Sequence, residues 1–358
     1  ALEPITVKGV SEPVSTYHVR ERKPREFRVG ARGVAGVVTP TVGRVEELAV
    51  LTSALPPDPS TESSVRLVTV MGEAGVGKSR LLYEFFNWLD VRERGTYLFR
   101  GRATADDEND AYALLRDIVY FRYEIADSDS PEDAKGKLES GLVAVAGQEA
   151  TAWAPFIGHV IGLDYSSDPS IAGLASEPRL ILERAERHLR QAMIAGAGDR
   201  DVVVLVEDIH WADNESLDLL ARLAEEATSF PFLIVANARP AIATRRPAWV
   251  ESDDAWRRTI RLDPLGADDA DALFDSIFSR MAEVPPALHE LVVERSEGNP
   301  FYLEELVKML IDDGAIIAGE EWTVDESRLE NLSVPRTLTG VLQSRVDAMP
   351  RNERKACL

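Results

Sequence analysis

A short apolar run that leads into a glycine-rich loop constrains this chain more than any other stretch. Val65 to Met71 is apolar and β-rich, as expected of a buried strand. Directly after it, Gly72, Gly77, Lys78 and Ser79 fit the spacing Gly-x-x-x-x-Gly-Lys-Ser/Thr. Glycine is needed where the backbone turns sharply, approaches phosphate groups closely and enters a helix. The stretch therefore predicts a P-loop rather than a glycine turn beside a surface lysine.

The predicted P-loop assigns a nucleotide and a metal ion to the chain. Lys78 is expected to carry its charge to the β- and γ-phosphates, and the Ser79 hydroxyl is expected to bind Mg²⁺. The expected cofactors are therefore ATP or ADP with Mg²⁺. The loop residues expected to contact the nucleotide are Gly72, Glu73, Ala74, Gly75, Val76, Gly77, Lys78, Ser79 and Arg80.

A second apolar run, Val202 to Val206, ends in the two acids Glu207 and Asp208. Such a run predicts a central parallel strand that is buried on both faces. Carboxylates at its C-terminal end can hold the Mg²⁺ shell or orient the attacking water in phosphoryl transfer. Both acids are candidate catalytic and metal-binding residues; we assign Glu207 to Mg²⁺ and Asp208 to water, and the reverse assignment stays open. Alone, the pair could be a solvated strand end, but the P-loop favours the functional interpretation.

Polar residues after the next two predicted elements raise further hypotheses. The loop behind the acids contains His210, but no second His or Cys lies at ligand spacing. We therefore predict helix capping by Asp213 and packing by Trp211 instead of a metal site. Arg239 follows the predicted strand Phe232 to Ala236, where an arginine can reach the γ-phosphate as a catalytic residue. A surface arginine in a turn is the alternative.

The order of the remaining elements predicts an α/β fold. Strands alternate with helices, which indicates a parallel sheet with flanking helices, followed by a smaller helical lid domain. A long helical section, Ala111 to Met193, separates the second predicted strand from the third. The predicted division is 27–265 for the P-loop domain, 266–333 for a helical lid with a β-hairpin, and separate segments at 1–26 and 334–358.

Charge and composition limit the partners of the chain. The formal net charge is −21 at pH 7, which would repel a phosphate backbone, so nucleic-acid binding through this segment is not expected. A nucleotide site is compatible with that field because Lys78, backbone amides and Mg²⁺ act at contact distance. No apolar run approaches the roughly 18 residues of a membrane span, and Cys357 is the single cysteine. We expect a cytoplasmic location without a membrane partner.

The motifs occur together in an order that resembles a known class of ATPases. The set comprises Val42-Gly43-Arg44, Gly72 to Ser79, Glu207 to Asp213, Ala238-Arg239-Pro240 and Gly298 to Phe301. It is similar to the AAA-type signal-transduction ATPases with numerous domains, the STAND class. The likeness is greatest to those fused to class III adenylate/guanylate cyclases and to LuxR-type regulators. It covers about residues 40–350.

The resemblance implies roles for residues outside the P-loop. Val42, Gly43 and Arg44 would line the adenine pocket. Arg239 would be the sensor arginine, and Pro300 would contact the base or the ribose from the helical lid.

The ends of the chain resemble parts of neighbouring domains. Residues 1–26 resemble the closing strands of a class III cyclase domain with a linker, and 334–358 resemble the start of a winged-helix domain. We therefore expect this chain to be a piece of a longer polypeptide. The expected partners are its neighbouring domains, with a fused cyclase as candidate output, or further copies in a homo-oligomer. The expected function is a switch operated by ATP and reset by slow hydrolysis. A module that holds ADP with negligible turnover is the alternative.

Overall fold

The computed structural model describes residues 33–55, 65–252, 254–331, 335 and 337–348. The predicted tail at 1–26 lies outside these residues, as does the end of the predicted winged-helix segment. The strands are β1 (Gly33–Val34), β2 (Val37–Val38), β3 (Leu67–Gly72), β4 (Thr96–Arg102), β5 (Asp201–Glu207), β6 (Phe232–Ala238), β7 (Arg257–Leu262), β8 (Ile316–Ile317) and β9 (Thr323–Val324). The α-helices are α1 (Val45–Ser53), α2 (Lys78–Asp90), α3 (Ala113–Arg122), α4 (Pro131–Ala146), α5 (Ala154–Val160), α6 (Pro169–Ala172), α7 (Pro178–Ala197), α8 (Asn214–Glu226), α9 (Ala241–Arg245), α10 (Pro247–Val250), α11 (Ala267–Ile277), α12 (Pro286–Ser296), α13 (Pro300–Asp312), α14 (Glu326–Asn331) and α15 (Leu338–Ala348).

A five-stranded parallel sheet organises the first part of the chain. Its strand order is β4–β5–β6–β3–β7, so β3, which leads into the predicted P-loop, lies between β6 and β7. The strand with the two acids, β5, lies on the other side of β6. The carboxyl ends of parallel strands meet at one edge of the sheet, where ligands of such folds bind. The predicted α/β class with flanking helices is confirmed.

Helices cover both faces of this sheet. Along β5, Val202, Val204 and Val206 pack on one side with residues of α3 to α8. The alternate residues Val203 and Leu205 pack on the other side with α1 and α2. All five side chains are fully buried, and burial of each contributes roughly 1.5–3 kcal/mol. The continuous apolar sequence of β5 follows from this two-sided burial.

The long section between β4 and β5 folds into α3 to α7, as predicted from its helical pattern. Helix α4 begins with Pro131 after Ser130, whose hydroxyl accepts a hydrogen bond from the Asp133 N–H. Gly147 ends this helix at a φ of 80°. None of the helices in the described parts of the chain is long and apolar enough to cross a membrane.

A second core forms from the helices after β7. Residues of α11, α12 and α13 surround Phe274, Phe278 and Trp322, and the predicted β-hairpin is formed by β8 and β9. Val34 and Val37 of the β1–β2 hairpin join this second core. The prediction had grouped these two residues with the P-loop domain. The apolar pattern of so short a hairpin does not reveal which distant surface it covers.

Two helix boundaries differ from the sequence prediction. The sequence pattern predicts one helix from Asp268 to Met281, but α11 ends at Ile277, and Met281 forms a β-bridge with Trp322 instead. The pattern also predicts a helix from Pro335 to Met349, but α15 begins at Leu338. The Thr337 hydroxyl accepts a hydrogen bond from the Gly340 N–H at 3.1 Å, which is the geometry of a helix N-cap.

Candidate nucleotide-binding site

The glycine-rich loop joins β3 to α2 at the carboxyl edge of the sheet. Gly75 and Gly77 have φ values of 83° and 108°, which only glycine adopts without strain. Gly77 is the N-cap of α2, and Lys78 and Ser79 are the first residues of the helix. The free N–H groups of this first turn form an anion site of the kind that binds phosphate. The local conformation is that of the predicted P-loop.

Lys78 closes the loop from its helical end. Its Nζ donates to the carbonyl oxygens of Gly72 at 2.7 Å and of Glu73 at 2.8 Å. Burial lowers the pKa of Lys78 and nearby Arg239 lowers it further, whereas Asp208 and Glu73 raise it. The structure thus brings the predicted catalytic residues Lys78, Asp208 and Arg239 together. Phosphate oxygens would be stronger acceptors for this ammonium than the two carbonyl groups.

The two acids point into different surroundings. Burial raises the pKa of Glu207, against the charges of Arg102 and Arg100. Asp208 has a φ of 57°, and its Oδ2 accepts from Arg102 Nε at 3.1 Å and from Nη2 at 2.9 Å. Arg102 ends β4 opposite Glu207 in the sheet register. The arginine partner of Asp208 was not among the sequence predictions.

Asn237 is a site residue that the sequence interpretation missed. It lies near the end of β6, between the P-loop strand and the strand of the two acids, and its side chain is 2% exposed. Its Oδ1 accepts from the Asp208 N–H at 2.8 Å, and its side chain also bonds to Glu207. The available signal was that Asn237 is the one polar residue in the run Phe232–Ala238. A polar residue buried at the end of such a strand needs partners, and both acids supply them.

The loop behind Asp208 departs from its prediction in one respect. Asp213 caps α8 by accepting from the Ser216 N–H at 2.7 Å, as predicted. Trp211, predicted to pack, is 36% exposed, whereas His210 is only 6% exposed. The Nδ1 of His210 accepts from the Arg239 N–H at 3.4 Å, and burial lowers the pKa of His210 to about 4. The ring is therefore neutral at pH 7 and its proton lies on Nε2, which is buried and has no hydrogen-bond partner among the described residues.

A cleft beside the P-loop is lined by Val42, Arg44 and Pro300, three of the four residues predicted for the base pocket. About 510 Å³ in this cleft is not filled by protein atoms, and part of that space is open to solvent. Its lining residues are Thr39, Pro40, Thr41, Val42, Arg44, Val76, Gly77, Arg80, Leu81, Leu265, Leu273, Pro300, Phe301 and Glu304. Gly43 is not among these; a side chain there would collide with Asp269. Arg44 donates to the carbonyl oxygens of Val76 and Asp263, and so ties this segment to the loop.

The helical lid contacts the P-loop directly. Asn299 caps α13 by accepting from the Tyr302 N–H, and its Nδ2 donates to the Ala74 carbonyl at 2.9 Å. The Phe301 N–H donates to the Gly75 carbonyl at 3.3 Å. We call these two bonds to the loop the lid latch. A Cβ at Gly75 would lie 2.6 Å from Asn299 Oδ1, so this contact also requires glycine.

The residues present fit a nucleotide with Mg²⁺. The described residues contain no cluster of three or more His, Cys, Asp and Glu side chains that could hold a metal by itself. Mg²⁺ in phosphoryl-transfer sites keeps waters and uses one or two protein ligands together with phosphate oxygens. The first turn of α2 presents Ser79, and the acids Glu207 and Asp208 lie at the carboxyl end of β5, which β6 separates from the P-loop strand.

The parallel sheet, the glycine loop with its lysine and the acids at the end of another strand of the sheet define the class of P-loop nucleotide-binding proteins. Comparison with known proteins places the chain within this class. The chain belongs to the AAA ATPase domain family, which matches residues 40–235. ATP binding and hydrolysis are the activities that this family supports.

The chain is also similar to one long bacterial protein and to two solved structures. An uncharacterized protein of Rhizobium meliloti (strain 1021) is 26% identical over 351 residues, which are 96% of this chain and 31% of that protein. The ORC1 protein of Aeropyrum pernix in complex with DNA is 13% identical, with a TM-score of 0.46 over 88% of this chain and 70% of that one. Drosophila ORC bound to DNA is 13% identical, with a TM-score of 0.37 over 75% of this chain and 55% of that one. At these scores the two structures carry no argument about function.

Proposed function

We propose that the chain is a signalling ATPase module of the STAND class, in which bound nucleotide sets the position of the helical lid. The observation that carries this proposal is the lid latch. The carbonyl groups of Ala74 and Gly75, which accept from the lid, belong to the same loop that would wrap the phosphates. A change in the phosphate groups of the bound nucleotide would therefore act on the lid directly through this loop. A switch needs such a difference in contacts between its two states.

The proposed site uses the residues gathered at the sheet edge. Lys78 binds the β- and γ-phosphates, and Ser79 binds Mg²⁺, as the P-loop position of both residues implies. Glu207 and Asp208 divide Mg²⁺ binding and water orientation between them. Arg239 senses the γ-phosphate; this role is supported by its position directly after β6, where its positive charge is near enough to Lys78 to lower the pKa of the lysine.

The base would occupy the cleft between the P-loop helix and the lid. Val42 and Arg44 line it from the N-terminal side, and Pro300 lines it from α13. Gly43 would act through its backbone, since its φ of 62° sets the turn before α1. Pro300 is the first residue of α13, so the base would touch the same helix that carries the lid latch.

Nucleotide titration of a lysine variant tests the binding function. We expect Lys78→Ala to bind ATP and ADP roughly 10- to 100-fold more weakly, because a charge-assisted contact to phosphate is lost. Lys137→Ala is the matched control, since Lys137 pairs with Asp129 in the helical insertion. Calorimetry with Mg²⁺ present gives both affinities. Equal affinity of wild type and Lys78→Ala would contradict the proposal.

A module that holds ADP with negligible turnover is the second candidate. It is favoured by the pairing of Arg102 Nε and Nη2 with Asp208 Oδ2, because this ion pair engages one oxygen of the carboxylate assigned to water. Single-turnover hydrolysis with Asp208→Asn as control separates the two. A wild-type rate no faster than that of Asp208→Asn, together with ADP retained through purification, would favour the holding module.

The output of the switch is proposed to lie in other domains of a longer protein. The chain spans 31% of the length of its Rhizobium meliloti relative, which leaves room for such domains in that protein. A class III cyclase upstream, a winged-helix domain downstream and a homo-oligomer are the candidates that the motif set suggests. The net charge of −21 disfavours nucleic acid as a partner of this segment.

A further inference from the structure

A buried carboxylate lies in the cleft beside the P-loop. Glu304 is 5% exposed and lies on α13, four residues after Pro300, so both side chains face the cleft. Much of the lining around it is apolar, including Val42, Leu273 and Phe301. Burial of a charged group in such surroundings is costly unless hydrogen bonds compensate it.

The hydrogen bonds of the Glu304 carboxylate use only a small part of its capacity to accept hydrogen bonds. The Thr39 hydroxyl donates to Glu304 Oε1 at 2.9 Å, and this is the single bond to Glu304 among the described residues. An ionised carboxylate can accept about four hydrogen bonds. Lys308, the nearest basic residue along the helix, pairs with Glu305 instead.

The other polar side chains of the cleft are already engaged. Thr41 donates to Glu84 and accepts from Arg80, which also binds Glu84. Arg44 donates to two backbone carbonyl groups. The acceptor left for a ligand in this cleft is therefore the Glu304 carboxylate.

We propose that Glu304 determines the choice of base by accepting a hydrogen bond from the exocyclic amino group of adenine. The inference rests on the proposed function, in which the cleft holds the base. Guanine carries a carbonyl oxygen in place of that amino group, and this oxygen cannot donate a hydrogen bond to the carboxylate. A site that is built to receive an amino group rejects an analogue without it, because its buried acceptor is then left unpaired.

The test compares ATP with purine riboside triphosphate, which lacks only the amino group. Wild type should bind ATP at least roughly tenfold more tightly, the effect of one charge-assisted hydrogen bond. Glu304→Met, which keeps the side-chain volume but has no acceptor, should bind the two nucleotides within about twofold of each other. GTP should bind wild type more weakly than ATP.

A second variant and a base-free ligand keep the test decisive. Glu304→Asp keeps the charge but withdraws it by one methylene group, and should lose most of the preference even if Glu304→Met fails to fold. Inorganic triphosphate should bind wild type and both variants equally, because it reaches the P-loop alone. An unchanged preference in a folded variant, equal binding of both nucleotides by wild type, or tighter binding of GTP would overturn the inference. Failure of wild type to bind ATP and triphosphate at all would instead reject the proposed function.

Discussion

At the scale of single residues, Asn237 connects the two acids. Its amide oxygen accepts from the Asp208 N–H at 2.8 Å, and Asp208 has a positive φ, which is uncommon for residues other than glycine. The same side chain reaches Glu207. One buried amide thus bonds to the backbone of one acid and to the side chain of the other, which limits how the two acids can move relative to each other.

Replacement of Asn237 should therefore reduce hydrolysis more than binding. We expect Asn237→Ala to lower the single-turnover rate roughly 10- to 100-fold, because the acids lose their fixed orientation. The affinity for ATP should change by less than about threefold, since the P-loop is untouched. Thr69→Val is the matched control, because it removes a buried hydroxyl of the neighbouring strand β3 that accepts a hydrogen bond from Trp249 Nε1. Equal loss of rate in both variants would indicate a general loss of stability.

The sequence revealed site residues that belong to a local motif and missed those that act across strands. The P-loop residues and the acids could be predicted because spacing along the chain alone defines them. Asn237, Arg102 and His210 could not be predicted, because their roles depend on which strands become neighbours. The sequence indicates no role for His210, yet of the two rings in this loop it is His210, and not Trp211, that is buried.

At the scale of elements, α13 reaches the P-loop through its first turn. Asn299 performs two tasks with two atoms of one side chain: Oδ1 caps the helix and Nδ2 binds the loop. The tasks can be separated by chemistry. An aspartate at this position keeps the capping oxygen but has no N–H to donate.

We expect Asn299→Asp to release ADP roughly tenfold faster, because the Ala74 carbonyl loses its donor and faces a negative charge. The free energy of unfolding should stay within about 1 kcal/mol of wild type, since the cap of α13 is retained. A chase experiment with fluorescent ADP measures the release rate. Ser130→Ala, which removes the cap of α4 far from the site, should lower stability without changing release. An unchanged release rate in Asn299→Asp would mean that the lid latch does not hold the nucleotide.

Most elements could be predicted, but their arrangement could not. The predicted strands agree with the observed ones because a run of five apolar residues between polar flanks, as in Val202 to Val206, suits a strand that is buried on both faces. The order of the sheet, with β6 between β3 and β5, arises from contacts that are distant in sequence. Helix ends were displaced where a side chain, as at Thr337, caps the helix inside the predicted range.

At the scale of the whole molecule, the nucleotide would join two hydrophobic cores. One core comprises the sheet with its flanking helices, and the other comprises α11 to α13 with Trp322. The cleft lies between them and is lined by Leu81 of α2, Leu273 of α11 and Phe301 of α13. A ligand in this cleft would stabilise both parts at once.

Saturating ADP should raise the free energy of unfolding by about 2.7 kcal/mol at one hundred times its dissociation constant. Amide hydrogen exchange should slow in β3 and in α13 together, because the proposed site includes both elements. Lys78→Ala should reduce the stabilisation at the same ADP concentration. Slower exchange confined to the sheet would show that the lid takes no part in binding.

The lid latch also has a consequence for how the chain tolerates mutation. Both bonds end on main-chain oxygens, of Ala74 and Gly75, which every amino acid carries. The exposed side chains of Glu73 and Ala74 can therefore vary without breaking the connection. What cannot vary is the pair Gly75 and Asn299, since one leaves the space that the other fills. The lid latch thus depends on two residues that lie more than 200 positions apart in the sequence.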